Sequence, residues 1–181
     1  MKVQAKEILL RDGRKGIIRS ACKEDSEHLL EYLKITSAET PYLAKEPEEI
    51  TLTLEQEQAF IQKIEDSDKD VMLIAEVDGR HVGNCSVCSY GKMRYAHRCS
   101  IGIALYQDFC HLGIGQSLLS EALRLAGEIG YEQAELEVVT SNTPAVKLYE
   151  KLGFHIYGTH LRDMKYKDGS YADVYLMTKE L

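Results

Sequence analysis

The chain has 181 residues, 44% of them hydrophobic and 28% charged, with only three prolines; this balance fits one compact globular domain and excludes a disordered or fibrous chain. No apolar run approaches a membrane span, and the start, MKVQAKEILLRDGRKG, lacks the apolar segment and small-residue cleavage site of a secretory signal, so a cytoplasmic protein is expected. The formal charge of -7 argues against nucleic acid or an anionic membrane as partner and favours a cationic substrate, while five cysteines, an odd number, agree with a reducing compartment.

One domain, 1–181, is expected, with residues 1–15 weakly patterned and read as a peripheral extension. GIIRSA (16–21) reads as a short strand, and Glu24 to Ile35 as a helix with Leu29, Leu30 and Leu33 on one face and Asp25 or Ser26 as its cap. Residues 36–50 carry two prolines and no steady period, which predicts a long loop. A second helix follows Thr53, its cap, with Ala59, Phe60 and Ile64 at helical spacing. VMLIAEVDGRHVGNCSV predicts two strands joined at Asp78-Gly79, a pair that tolerates the positive φ angles of a tight hairpin, and RCSIGIAL (98–105) a third. From Gly115 the period becomes helical, with Leu118, Leu119, Ala122, Leu123, Ala126 and Ile129 in one stripe closed by Gly130. AELEVVT (134–140) alternates as a strand; SNTPAVKLYEKLGF places Asn142 or Thr143 as a cap and Ala145, Leu148, Tyr149 and Leu152 on one helical face; the C-terminal segment gives two strands turning near Asp168-Gly169. This order predicts a mixed α/β (α+β) fold, a sheet covered by helices.

The segment FCHLGIGQSLL (109–119) sets Gly113 and Gly115 between a strand and a helix. Unpaired amides and the positive dipole end of a helix make such a loop an anion site, unless the glycines serve a tight turn alone. A Walker loop needs lysine after its last glycine, and Gln116 stands there; a Rossmann fingerprint needs a third glycine where Leu118 stands.

The ordered pair of this loop and N-TPAVKLYEKLGF, with Asn142, Ala145, Leu148, Tyr149, Gly153 and Phe154 in place, resembles the GNAT superfamily of N-acetyltransferases over about residues 17–180. That resemblance implies a mostly antiparallel twisted sheet of about six to seven strands with about four helices. It also implies acetyl-CoA as donor, no metal, and transfer to a primary amine in a ternary complex; the acceptor would be a small amine, amino acid, polyamine or protein N-terminus. Amides from Cys110 through His111, Leu112, Gly113, Ile114 and Gly115 to Gln116 would cradle the pyrophosphate. Ile103, Ala104 and Leu105 would pair with the pantetheine arm, Ile103 lying near a bulge that splays two strands. Asn142 would hold the cofactor, Ala145 would leave room for it, and Tyr149 would be the general acid toward the CoA sulfur. Two departures stand out: Cys110 and His111 replace the family's Arg/Gln and a common glycine. Ser100 occupies the place of a common glutamate base, leaving Glu76, Glu137, Glu39, Glu46 and Glu49 as candidates. Tyr171 and Asp173 resemble positions facing the acceptor.

Cys85 and Cys88 point to opposite faces of a strand and read as core thiols, and His97, His155 and His160 lack a metal-site spacing. A noncatalytic acyl-CoA-binding module of the same fold is the competing reading, and C-terminal strand edges make a homodimer the expected assembly, if any.

Overall fold

In the computed structural model, which describes residues 3–181, the elements run β1 (Lys6–Leu9), β2 (Lys15–Ser20), α1 (Ser26–Glu39), α2 (Leu54–Glu65), β3 (Val71–Val77), β4 (Arg80–Ser89), β5 (Arg98–Leu105), α3 (Ile114–Ile129), β6 (Gln133–Val139), α4 (Thr143–Lys151), β7 (His155–Lys165) and β8 (Tyr171–Glu180). The eight strands make one sheet in the order β1-β2-β3-β4-β5-β6-β8-β7. Every neighbouring pair is antiparallel except β5 and β6, which are parallel and joined by the crossover helix α3. The strand count exceeds the expected six to seven because Lys6–Leu9, in the segment without clear pattern, pairs with β2 as an edge strand. A four-residue edge strand buries too little to leave an alternation in the sequence.

Local chemistry explains most boundaries. Asp78 and Gly79 take φ of +52° and +73°, the left-handed pair that a two-residue hairpin requires, so β3 turns directly into β4. Thr53 caps α2: its hydroxyl accepts the Gln56 amide at 3.2 Å, and Gln56 Oε1 accepts the Thr53 amide at 2.9 Å. The stripe that α2 buries is Glu57, Ile61 and Ile64, whereas Phe60 is 46% exposed and Ala59 is also exposed, which corrects the face read from the sequence. Helix α1 starts two residues later and ends four later than expected. Its interior Thr36 is buried and donates its hydroxyl to Tyr32 O at 2.8 Å, so the polar run continues the helix and the loop shrinks to 40–53, with one 3-10 turn at Pro47–Glu49. Asp25 does not cap α1 with its side chain; the carboxylate instead accepts both Arg19 Nη groups at 2.8 Å and the Cys22 amide at 2.8 Å.

Strand alternation assigns the faces. Cys85 and Val87 of β4 and Cys99 and Ile101 of β5 are buried with Leu118, Leu119 and Ala122 of α3 in the core. The opposite face carries Asn84, Ser86 and Cys88, and α1 reaches it through Tyr32, whose hydroxyl donates to Asn84 Oδ1 at 3.3 Å. Thus Cys85 and Cys88 do lie on opposite faces, Cys85 buried and Cys88 half-buried.

His81 lies against the Tyr32 ring, centroids 4.5 Å apart, with Nε2 3.1 Å from Gly83 O. Burial pushes its pKa down to about 4, outweighing the Gly83 carbonyl, so the fold favours the neutral ring. An unfolded histidine titrates near 6.5; the contribution of His81 is therefore complete above that pH and lost as pH falls toward about 4, a change of order 2 kcal/mol. Urea unfolding of wild type at pH 7 and pH 4.5 is expected to show this loss, and His81→Phe to shrink the difference; an unchanged slope in the variant contradicts the assignment.

Candidate active site

The opening that defines the site is a failure of pairing. The parallel ladder between β5 and β6 holds only at Arg98–Gln133, Cys99–Ala134 and Ser100–Glu135, although β5 runs on to Leu105 and β6 to Val139. On its other side β5 stays paired with β4 in continuous register from Cys99 to Leu105. The strands therefore part beyond Ser100 without the expected bulge in β5, and the main chain of Ile101 to Leu105 is free toward β6. Ile103, Ala104 and Leu105 are half-buried along this cleft, and a β carbon added at Gly102 would meet nothing within 4 Å.

The glycine loop closes one end of the cleft. His111 and Gly113 adopt φ of +63° and +91°, and α3 begins at Ile114. Among the described residues, the amides of His111, Leu112, Gly113, Ile114, Gly115 and Gln116 donate to no acceptor, whereas the Cys110 amide donates to Gln107 O at 3.1 Å. The run of free donors thus has six members and excludes Cys110, a correction to the expected cradle caused by the 3-10 turn at Gln107–Phe109. Consecutive free amides at a helix N-terminus, with the dipole behind them, are an anion site. Only the main chain of Ile114 can serve a ligand, because its side chain is 1% exposed in the core. A β carbon on Gly115 would stand 3.4 Å from Leu105 Cδ1, 3.5 Å from Leu148 Cδ2 and 4.0 Å from Ile103 Cδ1, so this glycine marks where β5, α3 and α4 converge.

Helix α4 forms the opposite wall. Asn142 is its cap, its Oδ1 accepting the Ala145 amide at 3.4 Å, which leaves the side-chain NH2 as a donor. Ala145 and Leu148 are half-buried beside it. Gln116 Oε1 accepts from Lys151 Nζ at 2.9 Å and ties α3 to α4. Tyr149 is 7% exposed, edge-on to Phe154 with centroids 6.1 Å apart, and its hydroxyl has no hydrogen-bond partner among the described residues. Burial first, and the neighbouring Cys85 thiol second, push its pKa well above the ordinary tyrosine value, so the phenol stays protonated at neutral pH. Cys110 Sγ donates to Tyr106 O at 3.6 Å, and burial raises its pKa, so it adds no charge to the loop.

The carboxylates separate clearly. Glu76 lies on β3, paired with Arg19 at 2.6 Å, two strands from the cleft. Glu39 accepts the Gln107 amide at 2.8 Å, Glu46 accepts Lys167 Nζ at 3.2 Å, and Glu49 accepts the Glu46 amide at 2.8 Å. Glu137 alone among these candidates lies on a cleft strand; it is exposed, without a hydrogen-bond or ion-pair partner among the described residues, and two residues beyond Glu135, the register partner of Ser100. Alternation puts Glu137 on the same face as Ser100 and Gly102.

Sequence reasoning missed Glu135. It is buried, accepts from Arg98, from Tyr90 Oη at 2.8 Å and from Gln133 Nε2 at 2.9 Å, and Arg98 lies between the Tyr90 and Tyr95 rings at 5.2 and 5.1 Å. Three donors occupy this carboxylate, which suits a fixed wall better than a base. The rim is made by the loop 40–53 and the β7–β8 turn: Tyr166 Oη donates to Pro41 O at 3.1 Å, and Lys167 Nζ reaches Glu48 at 3.1 Å. Tyr171 stacks on Arg162 at 4.0 Å, and Asp173 Oδ1 accepts the Arg162 amide at 2.7 Å. No group of metal-ligating side chains occurs among the described residues.

Comparison with known proteins agrees with this architecture. The sequence model of the Acetyltransferase (GNAT) family matches residues 29–154. A GNAT-family acetyltransferase structure from Streptococcus pneumoniae superposes with a TM-score of 0.88 at 32% identity, over 92% of this chain and 99% of that one. The L-amino acid N-acetyltransferase AaaT of Escherichia coli (strain K12) is 30% identical over 108 residues, 59% of this chain and 66% of that protein. An N-alpha-acetyltransferase of Sulfurisphaera tokodaii is 40% identical over 87 residues, 45% of this chain and 47% of that protein. The matched regions thus span about half to two thirds of these curated relatives. A split parallel pair with a free-amide loop at its mouth defines an acyl-CoA-type transferase fold, and the chain belongs to the Acetyltransferase (GNAT) family.

The loop conformation itself is testable. Gly113→Ala is expected to cost about 1–2 kcal/mol, because an L side chain at φ +91° is strained, and Gly113→Asn less. Equal urea midpoints for wild type and Gly113→Ala contradict the left-handed conformation.

Proposed function

We propose that the chain is an acetyl-CoA-dependent N-acetyltransferase acting on a primary amine, and that the six free amides from His111 to Gln116 receive the cofactor pyrophosphate. That run of donors is the observation that carries the reading, because nothing else among the described residues satisfies it. Bound acetyl-CoA supplies the acetyl group as an activated thioester. The chain supplies everything else: the free edge of β5 at Ile103 to Leu105 aligns the pantetheine arm and offers an amide to the carbonyl, and Asn142 offers its NH2 from the far wall.

Two proton transfers remain. Tyr149, kept protonated and without a competing acceptor among the described residues, is the proposed donor of a proton to the departing thiolate. An alkylamine has a pKa of roughly 10.4 and must lose a proton before attack. Glu137, exposed on the cleft face, is the proposed acceptor of that proton through water, standing one strand away from Ser100. The names of the two curated relatives, an amino-acid and an N-alpha-acetyltransferase, support an α-amine as acceptor.

Free-thiol release from acetyl-CoA across amino acids, short peptides, polyamines and aminoglycosides tests the reading. Turnover with amino acids or peptides is expected; CoA binding without thiol release from any amine reduces the chain to a noncatalytic binder. Tyr149→Phe is expected to lower kcat about a hundredfold with CoA binding retained. Its stability is expected to change by less than about 0.5 kcal/mol, since the hydroxyl lost has no partner. Glu137→Gln is expected to lower kcat/KM at pH 7 about tenfold to a hundredfold, with the deficit closing as pH approaches the amine pKa of about 10.4. A deficit that is constant with pH assigns the base elsewhere.

A further inference from the structure

We infer that Arg11, in the turn between β1 and β2, is a positioning residue that braces the cofactor loop and takes over the anchoring that Cys110 cannot provide. The inference rests on the proposed function, since it concerns the affinity of the loop for the pyrophosphate of CoA.

Six amides can face one side of the loop only if the intervening carbonyls face elsewhere, and those carbonyls need donors of their own. Two successive ones obtain them from a single residue: the Arg11 amide donates to Leu112 O at 3.0 Å, and Arg11 Nη1 donates to His111 O at 3.2 Å. The arginine stem lies along the same loop, its Cγ 3.8 Å and its Nε 3.9 Å from the point a Gly113 β carbon would occupy. These contacts fall on the two residues with left-handed backbone, His111 and Gly113, and on the residue between them. A histidine at φ +63° persists only where its surroundings hold it, and Arg11 is the side chain that does so.

The brace is itself anchored. Leu10 is 3% exposed in the core, its amide donates to Arg14 O at 2.8 Å, and the Gly13 amide donates to Leu10 O at 3.1 Å. Arg14 is held by Asp12 through Nε at 2.9 Å, and its guanidinium lies 5.4 Å from the Phe109 ring centre, next to Cys110. The short edge hairpin β1–β2 therefore reaches the loop from outside the family-matched span of 29–154. Arg11 approaches from the carbonyl side, which separates its role from direct contact with phosphate.

The experiment is calorimetric titration of wild type, Arg11→Ala and Arg11→Lys with CoA and with dephospho-CoA, alongside urea unfolding of each ligand-free chain and kcat/KM for acetyl-CoA and S-acetylpantetheine, which lacks the pyrophosphate. The loss of one exposed hydrogen bond and its packing is expected to weaken CoA and dephospho-CoA equally, by about threefold to tenfold, in Arg11→Ala. Arg11→Lys is expected to restore most of the affinity. The ratio of kcat/KM for acetyl-CoA over S-acetylpantetheine is expected to fall by the same factor. Unaltered CoA affinity in Arg11→Ala overturns the brace, and so does a loss for CoA that dephospho-CoA escapes, which marks a contact to the 3′-phosphate. A wild-type chain that binds no CoA overturns the proposed function, and the brace with it.

Discussion

The architecture depends on a main-chain deficit. Buried peptide groups are almost always paired, and an unpaired one costs roughly 1–3 kcal/mol once it is away from water. Here the deficit is concentrated in two adjoining places, the free edge of β5 after Ser100 and the amides from His111 to Gln116. Both lie at the mouth of one cleft, where water or a ligand can satisfy them. The rest of the sheet exists to hold that mouth open: β4 keeps β5 in register on one side, and β8 keeps β6 in register along Gln133 to Val139 on the other.

A run of free main-chain donors does not depend on which side chains the loop carries. The Cys110 thiol adds no charge, and the free donors include residues whose side chains do other work, as Ile114 does in the core. Electrostatic attraction then comes from the helix end, worth about 0.3–1 kcal/mol where it is exposed and more where it is sheltered. Tyr149, buried on α4, and Glu137, exposed on β6, belong to different elements beside the cleft, so the two side chains sit in unlike surroundings.

Long periodic elements were the most legible in the sequence. The stripe of α3, the Asp78-Gly79 hairpin and the Thr53 cap follow from rules that act within a few residues, and each is present. What escaped depends on partners far along the chain. Phe60 matched a helical period as well as Ile61 did, and only the position of the sheet decides which is buried. The polar run after Ile35 stays helical because Thr36 is buried and bonds backward to Tyr32. In the site, the glycines and Tyr149 were readable as a motif, whereas Glu135 beside Ser100 is a product of register and Arg11 behind the loop of contacts about a hundred residues apart; the use of the Cys110 amide within its own turn is local but leaves no pattern in the sequence.

The rim over the cleft is built differently from its floor. The floor is strand, locked into the core through Ile101 and Cys99; the rim is closed by Tyr166 on Pro41 and by Lys167 on Glu46 and Glu48, contacts between exposed groups on two turns. Exposed ion pairs of this kind contribute about 0–1 kcal/mol. Rim residues can therefore be exchanged at almost no thermodynamic cost, while the strand floor cannot. Sequence change at the rim is thereby uncoupled from whether the molecule folds.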